Sequence, residues 1–313
     1  MRYPILFSPE DDIIDICWDN VFKAIFTQDI PPSQGALKRL ISAFIGRSVD
    51  VLAVVANEPP ALGRGDRQIR YDIRVRFDQG ELANVEMTLN PQGFEALRLE
   101  YYAARLYSSQ DIQGADKTFG DLTHTYQIAI IGRKRLFGDE PPVHQFRYYD
   151  QENKVSLGGR TRIIVVELEK AAGLLGEPVS EMSPAERWTV FFRYVTDPQQ
   201  RDVINKILTY EEGIAMAGEV LLSISKDEAE RARLESEYKY RLDRQSEMVQ
   251  ARRDGLVEGE LIGLKKGELI GLKKEEQHLF EERREIARKL LTMGLSPDQI
   301  ARATGLAPGE IPL

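Results

Sequence analysis

Apolar residues at Ile13, Ile16, Cys17, Val21, Ala24 and Ile25 recur near the helical period of 3.6, and a second periodic stretch, 36–45, follows the Pro31-Pro32 pair. The spacing predicts helices over 10–46 with a turn at the prolines. Beyond that point the period shortens. Segments 49–55, 69–77, 81–89, 126–131 and 162–168 are rich in β-branched residues and bounded by Gly, Pro or charged clusters, which predicts five strands. Between the third and fourth of these, 93–109 carries Phe94, Leu97, Tyr101, Ala104 and Leu106 at helical spacing. A helix therefore joins two strands, and the class is α/β or α+β.

A core of this kind is predicted over 1–172, followed by a helical extension over 173–225. The extension contains Ser183-Pro184-Ala185-Glu186, a cap serine with proline at the first helical position and glutamate three residues after the cap. Residues 226–285 form a charged segment in which acidic and basic side chains nearly balance, the composition of a solvated helix or coiled coil. Within it GELIGLKK occurs twice, and Gly255, Gly259, Gly263, Gly267 and Gly271 recur every fourth residue. Each glycine costs a helix roughly 1 kcal/mol relative to Ala, so the stretch is marginal alone and reads either as a frayed spacer or as a ridge needing a partner helix. Self-association through this tail is one expectation. Residues 286–313 form a small helix-turn-helix-like unit, with stops at Gly294 and Gly305 and a new start at Ser296. Its second helix offers only Gln299 and Arg302 for contact with bases, so assembly or no defined role suits it better than DNA reading.

Composition narrows the class without naming a function. Of 313 residues, 42% are apolar and 29% charged, which excludes collagen-like, mucin-like and wholly disordered chains. No apolar run approaches the roughly 18 residues of a membrane span. The short apolar stretch before the first acidic run does not suit a secretory signal, and the single cysteine, Cys17, excludes an internal disulfide, so a cytoplasmic location is expected. Fifty acidic against forty-two basic side chains leave a net charge of -8. Any nucleic-acid site must then be a local patch, and Arg64, Arg67, Arg70, Arg74 and Arg76 supply one. His124 and His144 have no metal-like spacing with Cys17 or each other and read as incidental; there is no GxSxG, Walker or GxGxxG motif.

The segment IRYDIRVRFDQGELANVEMTLN reads as two alternating strands around Asp78-Gln79-Gly80. A three-residue loop commonly has a type I turn first and a left-handed residue last, here Gly80. If Phe77 pairs with Glu81, Arg76 faces Leu82, Arg74 faces Asn84, and Asp72 sits opposite Glu86. Opposed carboxylates repel unless a proton or cation lies between them, and a hard divalent ion suits such a pair. Ile73, Val75, Phe77, Val85, Met87 and Leu89 fall on the other face as a core layer. The plainer alternative is an edge hairpin with a polar solvent face, its two acids neutralised by Arg74 and Arg76.

The spacing of Asp72, Glu86 and Thr88 resembles the PD-(D/E)XK nuclease core, in the branch of recombination-promoting nucleases and PD-(D/E)XK family transposases. DNVFKAIF at 19–26, RLEYYAARLYSSQ at 98–110, LTHTYQIAII at 122–131, VVELEK at 165–170, the helix at 188–192 and the Gly-periodic tail leading to GLSPDQIARATGL are similar in the same order. The resemblance implies a restriction-endonuclease-like mixed-sheet α/β core flanked by helices. It implies a Mg²⁺- or Mn²⁺-dependent DNA endonuclease, with Asp72 and Glu86 as metal ligands, Asp19 assisting the metal or its water, and an association with transposition or recombination. Lys23 lies one helical turn from Asp19 and can approach the phosphate or pair with Asp19; Asp19 also reads as a helix cap or surface acid.

One position departs from the pattern. Where the superfamily has Lys and this branch often Gln, Thr88 offers neither charge nor amide, so phosphate stabilisation must come from Lys117, Arg98 or Arg74 or be lost. Tyr102, four residues after Arg98, can hold that guanidinium toward the cleft or belong to the core. Arg70, Arg74, Arg76 and Arg98 are the expected DNA contacts. The alternative function is a catalytically lapsed nuclease fold that binds DNA or assembles with protein.

Overall fold

The computed structural model describes residues 5–55, 70–91, 93–112, 116–139 and 141–311. Two helices, α1 (Asp19–Phe26) and α2 (Pro31–Ile45), precede β1 (Val51–Val55) and the hairpin of β2 (Ile73–Phe77) and β3 (Glu81–Thr88). Helix α3 (Glu95–Ser108) leads to β4 (Thr125–Ile131), β5 (Val143–Phe146), the small ribbon of β6 (Tyr149–Asp150) and β7 (Val155–Ser156), and β8 (Thr161–Glu167). Helices α4 (Pro184–Tyr194), α5 (Arg201–Tyr210), α6 (Glu212–Lys226), α7 (Glu228–Thr292) and α8 (Pro297–Thr304) complete the order. The main sheet runs β1-β2-β3-β4-β8-β5, with β3, β4 and β8 mutually parallel and the remaining pairs antiparallel. This agrees with the sequence expectation of a mixed-sheet α/β core flanked by helices. Among the described residues no helix is long and apolar enough to cross a membrane.

One sheet face carries the expected apolar layer. Ile73, Val75, Phe77, Val85 and Met87 join Phe22, Ile25, Leu40 and Phe44 of α1 and α2, and Trp188, Phe191 and Phe192 of α4, in a single buried cluster. Leu89 packs against the same cluster. The hairpin turns at Gly80 with φ 97°, as anticipated, but Asp78 is also left-handed at 44°, so the loop does not begin as a type I turn. Asp78 is held there by its carboxylate, which accepts from the Asp50 N–H at 2.7 Å and from Arg47 at 2.5 Å.

Several local expectations change. Residues 10–18 are not helical although Ile13, Ile14, Ile16 and Cys17 are buried; long-range packing, not a helical face, sets their spacing. Pro31 and Pro32 open α2 instead of separating two helices, since proline fits the first helical turn where no N–H partner is needed. In α3 the buried side is Leu99, Ala103 and Leu106, while Phe94, Leu97 and Tyr101 are exposed, so the helix was legible but its inward face was not. The hairpin is no edge: β1 covers β2, and β3 lies inside the sheet between β2 and β4. Ser183 caps α4 as predicted, accepting from the Glu186 N–H at 3.2 Å while Glu186 accepts from Ser183 N–H at 2.7 Å.

Helices α2 and α6 approach closely through small residues. A Cβ at Gly213 would collide with Arg39 Cβ and lie 3.4 Å from the Trp188 ring. Alanine ordinarily gains roughly 1 kcal/mol over glycine inside a helix. Here the sign reverses, because the obstructing atom is next to the α2 backbone; Gly213→Ala is expected to destabilise by about 1–3 kcal/mol, read as a lowered melting temperature.

The chain divides into two compact units, Met1–Lys239 and Tyr240–Leu313. Helix α7 takes in 65 residues, glycines included, and among the described residues nothing lies within 4 Å of a Cβ built at Gly255, Gly259, Gly263, Gly267 or Gly271. The second unit has its own small core of Ala287, Ile300, Leu306 and Ile311, with left-handed stops at Gly294 and Gly305.

Candidate active site

The hairpin register places the acids. Phe77 pairs with Glu81, Arg76 with Leu82 and Arg74 with Asn84, and continuing that register by one step beyond Ile73 and Val85 sets Asp72 opposite Glu86. Asp72 stands just before β2, and its Oδ2 accepts from the Met87 N–H at 3.2 Å. Because β3 is an interior strand beneath α3, the face carrying Asn84, Glu86 and Thr88 is not a solvent face. The Glu86 side chain is 3% exposed and that of Asp72 20%.

Helix α1 brings a cation and a third acid to Asp72. Lys23 Nζ lies 2.9 Å from Asp72 Oδ1 and 2.7 Å from Asp19 Oδ1, so one ammonium bridges two carboxylates. Burial, together with the Asp19 charge, pushes the Asp72 carboxyl up to about 6 against the pull of Lys23. Burial works to discharge Lys23, but Asp72 and Asp19 outweigh it and hold the amine protonated. Asp19 is the first residue of α1, following the cap residue Trp18.

Glu86 is the more perturbed acid. Burial first, and the Asp72 charge second, raise its carboxyl to about 8, only partly offset by Arg98. Its Oε1 accepts from Asn84 Nδ2 at 2.8 Å, and the same amide donates to Gln127 Oε1 on β4 at 2.9 Å. Its Oε2 is buried and, among the described residues, accepts no hydrogen bond, but it forms an ion pair with Arg98 NH2 at 3.4 Å.

Arg98 reaches across to Thr88. Its NH2 donates to Thr88 Oγ1 at 2.8 Å and to Glu95 Oε1 at 2.5 Å, with Nε donating to the same oxygen at 3.0 Å. Tyr102 lies beneath the guanidinium, 5.1 Å from ring centre to Cζ, which realises the anticipated stacking one turn along α3. Glu95 and Glu86 outweigh the cost of burial and keep Arg98 charged.

Other basic candidates lie elsewhere. Arg74 donates to Ser109 Oγ at 2.9 Å, and burial lowers its pKa; Arg76 and Arg70 are exposed. Lys117 pairs with Asp111 at 2.8 Å, so it is not a donor at the acids. Arg64 and Arg67 lie outside the described residues. The structure thus brings Asp19, Lys23, Asp72, Glu86, Thr88 and Arg98 together, while Arg74 turns to Ser109 and Arg76 lies exposed on β2. Sequence reasoning missed Asn84, Glu95 and Gln127. Asn84 was accessible in principle, two residues before Glu86 on the same strand face. It also missed Glu167, which is fully buried against Lys170 and His144, the latter set aside as incidental.

No group of three or more His, Cys, Asp or Glu able to hold a metal occurs among the described residues. A carboxylate pair nonetheless fits a Mg²⁺-like ion, which is typically held by one or two carboxylates, waters and substrate phosphates. The buried Glu86 oxygen without a hydrogen bond, beside an acid whose charge it feels, is the donor such an ion requires.

A family model for the PD-(D/E)XK nuclease family transposases matches residues 17–251, which include every one of these side chains. The chain belongs to that family. Comparison with curated proteins and with solved structures returned no match. Membership makes nuclease or transposase chemistry its class and accounts for the six-stranded mixed sheet as a restriction-endonuclease-like core. PD-(D/E)XK nucleases generally use divalent metal ions.

Proposed function

We propose that this family member is a DNA endonuclease that hydrolyses phosphodiester bonds with Mg²⁺ or Mn²⁺ held by Asp72 and Glu86. The observation that carries the reading is the buried Glu86 Oε2, which accepts no hydrogen bond among the described residues and feels the charge of Asp72. When bound, the cation supplies Lewis-acid stabilisation of phosphate charge and acidifies water. The chain's own residues do the rest. Asn84 orients Glu86 through Oε1 and the Met87 amide orients Asp72 through Oδ2, while Lys23 on Asp72 Oδ1 and Arg98 on Glu86 Oε2 are the cations that a bound metal would displace or share. Lys23 keeps Asp72 and Asp19 paired with positive charge, and is the nearest ammonium for an incoming phosphate. Arg98, steadied by Glu95, Thr88 and Tyr102, takes the role of the absent Lys or Gln as the cation facing the phosphate. Arg70, Arg74 and Arg76 extend the positive surface along the hairpin for the DNA backbone.

The test is nicking of supercoiled plasmid. Wild type is expected to nick with Mg²⁺ or Mn²⁺ and to stop in excess EDTA, and Asp72→Asn is expected to be inactive under both conditions. Equal residual cutting by the two proteins would instead favour a lapsed nuclease fold acting as a binding module.

A further inference from the structure

The exposed crest of α3 and a cavity on its far flank are left unused by the chemistry above. Around the helix, Arg98 and Tyr102 point to the acids, Leu99 and Ala103 point into the sheet, and Ala96, Glu100 and Ala104 border a cavity of about 310 Å³. This volume lies at the small end of ligand sites. Phe94, Leu97 and Tyr101 form the crest between the two flanks, 57%, 69% and 44% exposed.

Leu99, Ala103, Ile163 and Val165 floor the cavity, and Phe137, Phe146 and Tyr148 wall it, with Arg147 at the rim. The rings are mutually braced: Phe137 and Phe146 have centroids 5.2 Å apart at 49°, and Phe137 meets His144 edge-on at 4.8 Å. The loop carrying Phe137 is fixed by Glu167. Its Oε1 accepts from the N–H groups of Leu136 at 2.5 Å and Phe137 at 3.2 Å, while Oε2 pairs with Lys170 at 2.5 Å and His144 at 3.0 Å. The fully buried Glu167 carboxylate, with Lys170 and His144, thus anchors the loop that walls an open aromatic cavity, which lowers the ordering cost of an occupant. The cavity is also level with the acids. Glu86 is in register with Ala129, and Ala129 with Val165, which puts the cavity floor two strand spacings, roughly 10 Å, from Glu86 across the sheet.

We propose that this cavity receives an unstacked nucleobase of the DNA, with the apolar crest of α3 inserted as the wedge that parts it from its neighbours. The assignment rests on the nuclease reading for the phosphate's place beside the acids. An aromatic side chain in the wall can stack on any base, because every base has a π face. Apolar side chains inserted between base steps unstack and kink a duplex, and enzymes that need a base outside the helix extrude it into a fitted pocket. Arg147 at the rim complements the phosphates flanking such a base, and the Glu100 carboxylate can accept an N–H from its edge.

The test measures fluorescence anisotropy of the full chain in EDTA, where cutting is suppressed, with three labelled short duplexes: fully paired, bearing one unpaired adenine, and bearing an abasic site in place of that adenine. The adenine bulge is expected to bind at least roughly five-fold tighter than the abasic bulge. Ala104→Leu, which fills the cavity from an exposed helical position, and Phe146→Ala, which removes a wall, are each expected to erase that ratio while leaving affinity for the paired duplex unchanged. Equal binding of the two bulges, or a ratio that survives Ala104→Leu, overturns the proposal. The same proteins assayed for plasmid nicking separate the two readings. Metal-dependent nicking with equal bulge affinities removes the cavity assignment alone; a base-dependent ratio without nicking removes the nuclease alone; absence of DNA binding removes both.

Discussion

Glu86→Gln, kept in EDTA at about pH 8, is expected to melt at a higher temperature than the wild type and, when metal is restored, to cut DNA roughly a thousand-fold more slowly. Both halves follow from one carboxyl. Burial and the neighbouring Asp72 charge raise Glu86 from 4.5 to about 8, so the folded protein retains a proton that the unfolded chain releases. Stability therefore falls as pH rises between about 4.5 and 8, because across that window the native state binds more protons than the unfolded one. Glutamine has the shape of the protonated acid and no charge to desolvate. The gain at about pH 8 is on the order of a few kcal/mol and vanishes near pH 4, where both forms are neutral. Activity moves oppositely, since an amide cannot give the cation a charged oxygen. Unchanged melting at about pH 8 would show that Glu86 is not destabilised by its surroundings, and unchanged cutting would show that it holds no metal.

Arg98→Ala is expected to lower kcat by about a hundred-fold or more with little change in KM for DNA, the loss typical of removing one preorganised donor at developing phosphate charge. The guanidinium is fixed by Glu95, Thr88 and Tyr102, so its position does not depend on substrate. Thr88→Ala removes one of those anchors and is expected to cost much less, because Glu95 and Tyr102 remain. Arg98→Lys keeps charge but loses the fork that binds Glu95 through two nitrogens, so only partial activity is expected. Rates for Thr88→Ala as low as those for Arg98→Ala would place the critical group at Thr88 itself.

The parts of this arrangement that were legible in the sequence are those governed by local rules. A two-residue period and a glycine at the turn fix the β2-β3 register, and the register alone brings Asp72 to Glu86. The helical period locates α1 and hence the Asp19 and Lys23 face. What stayed hidden depends on neighbours remote in the chain. That β3 is interior follows from its parallel pairing with β4 across the α3 crossover, and this pairing turns a polar strand face into a buried one. The inward side of α3 has no local signal because the helix carries two apolar stripes, and only contact with β4 and β8 selects Leu99 and Ala103 over Phe94 and Leu97. Gln127 and Glu95 reach Asn84 and Arg98 only after folding, so no spacing announces them. Pro31 and Pro32 show the opposite hazard: a turn signal that is equally a helix start.

Calorimetric titration of the metal-free chain with Mn²⁺ at about pH 7, in buffers of different ionisation enthalpy, tests the central claim most directly. One Mn²⁺ per chain is expected to bind tightly, with the release of roughly one proton, since Glu86 at about 8 is largely protonated there and Asp72 at about 6 largely ionised. Asp72→Asn and Glu86→Gln should each abolish that binding. Mn²⁺ taken up equally well by all three proteins, or no uptake by the wild type, would contradict the assignment of these two acids as a metal site.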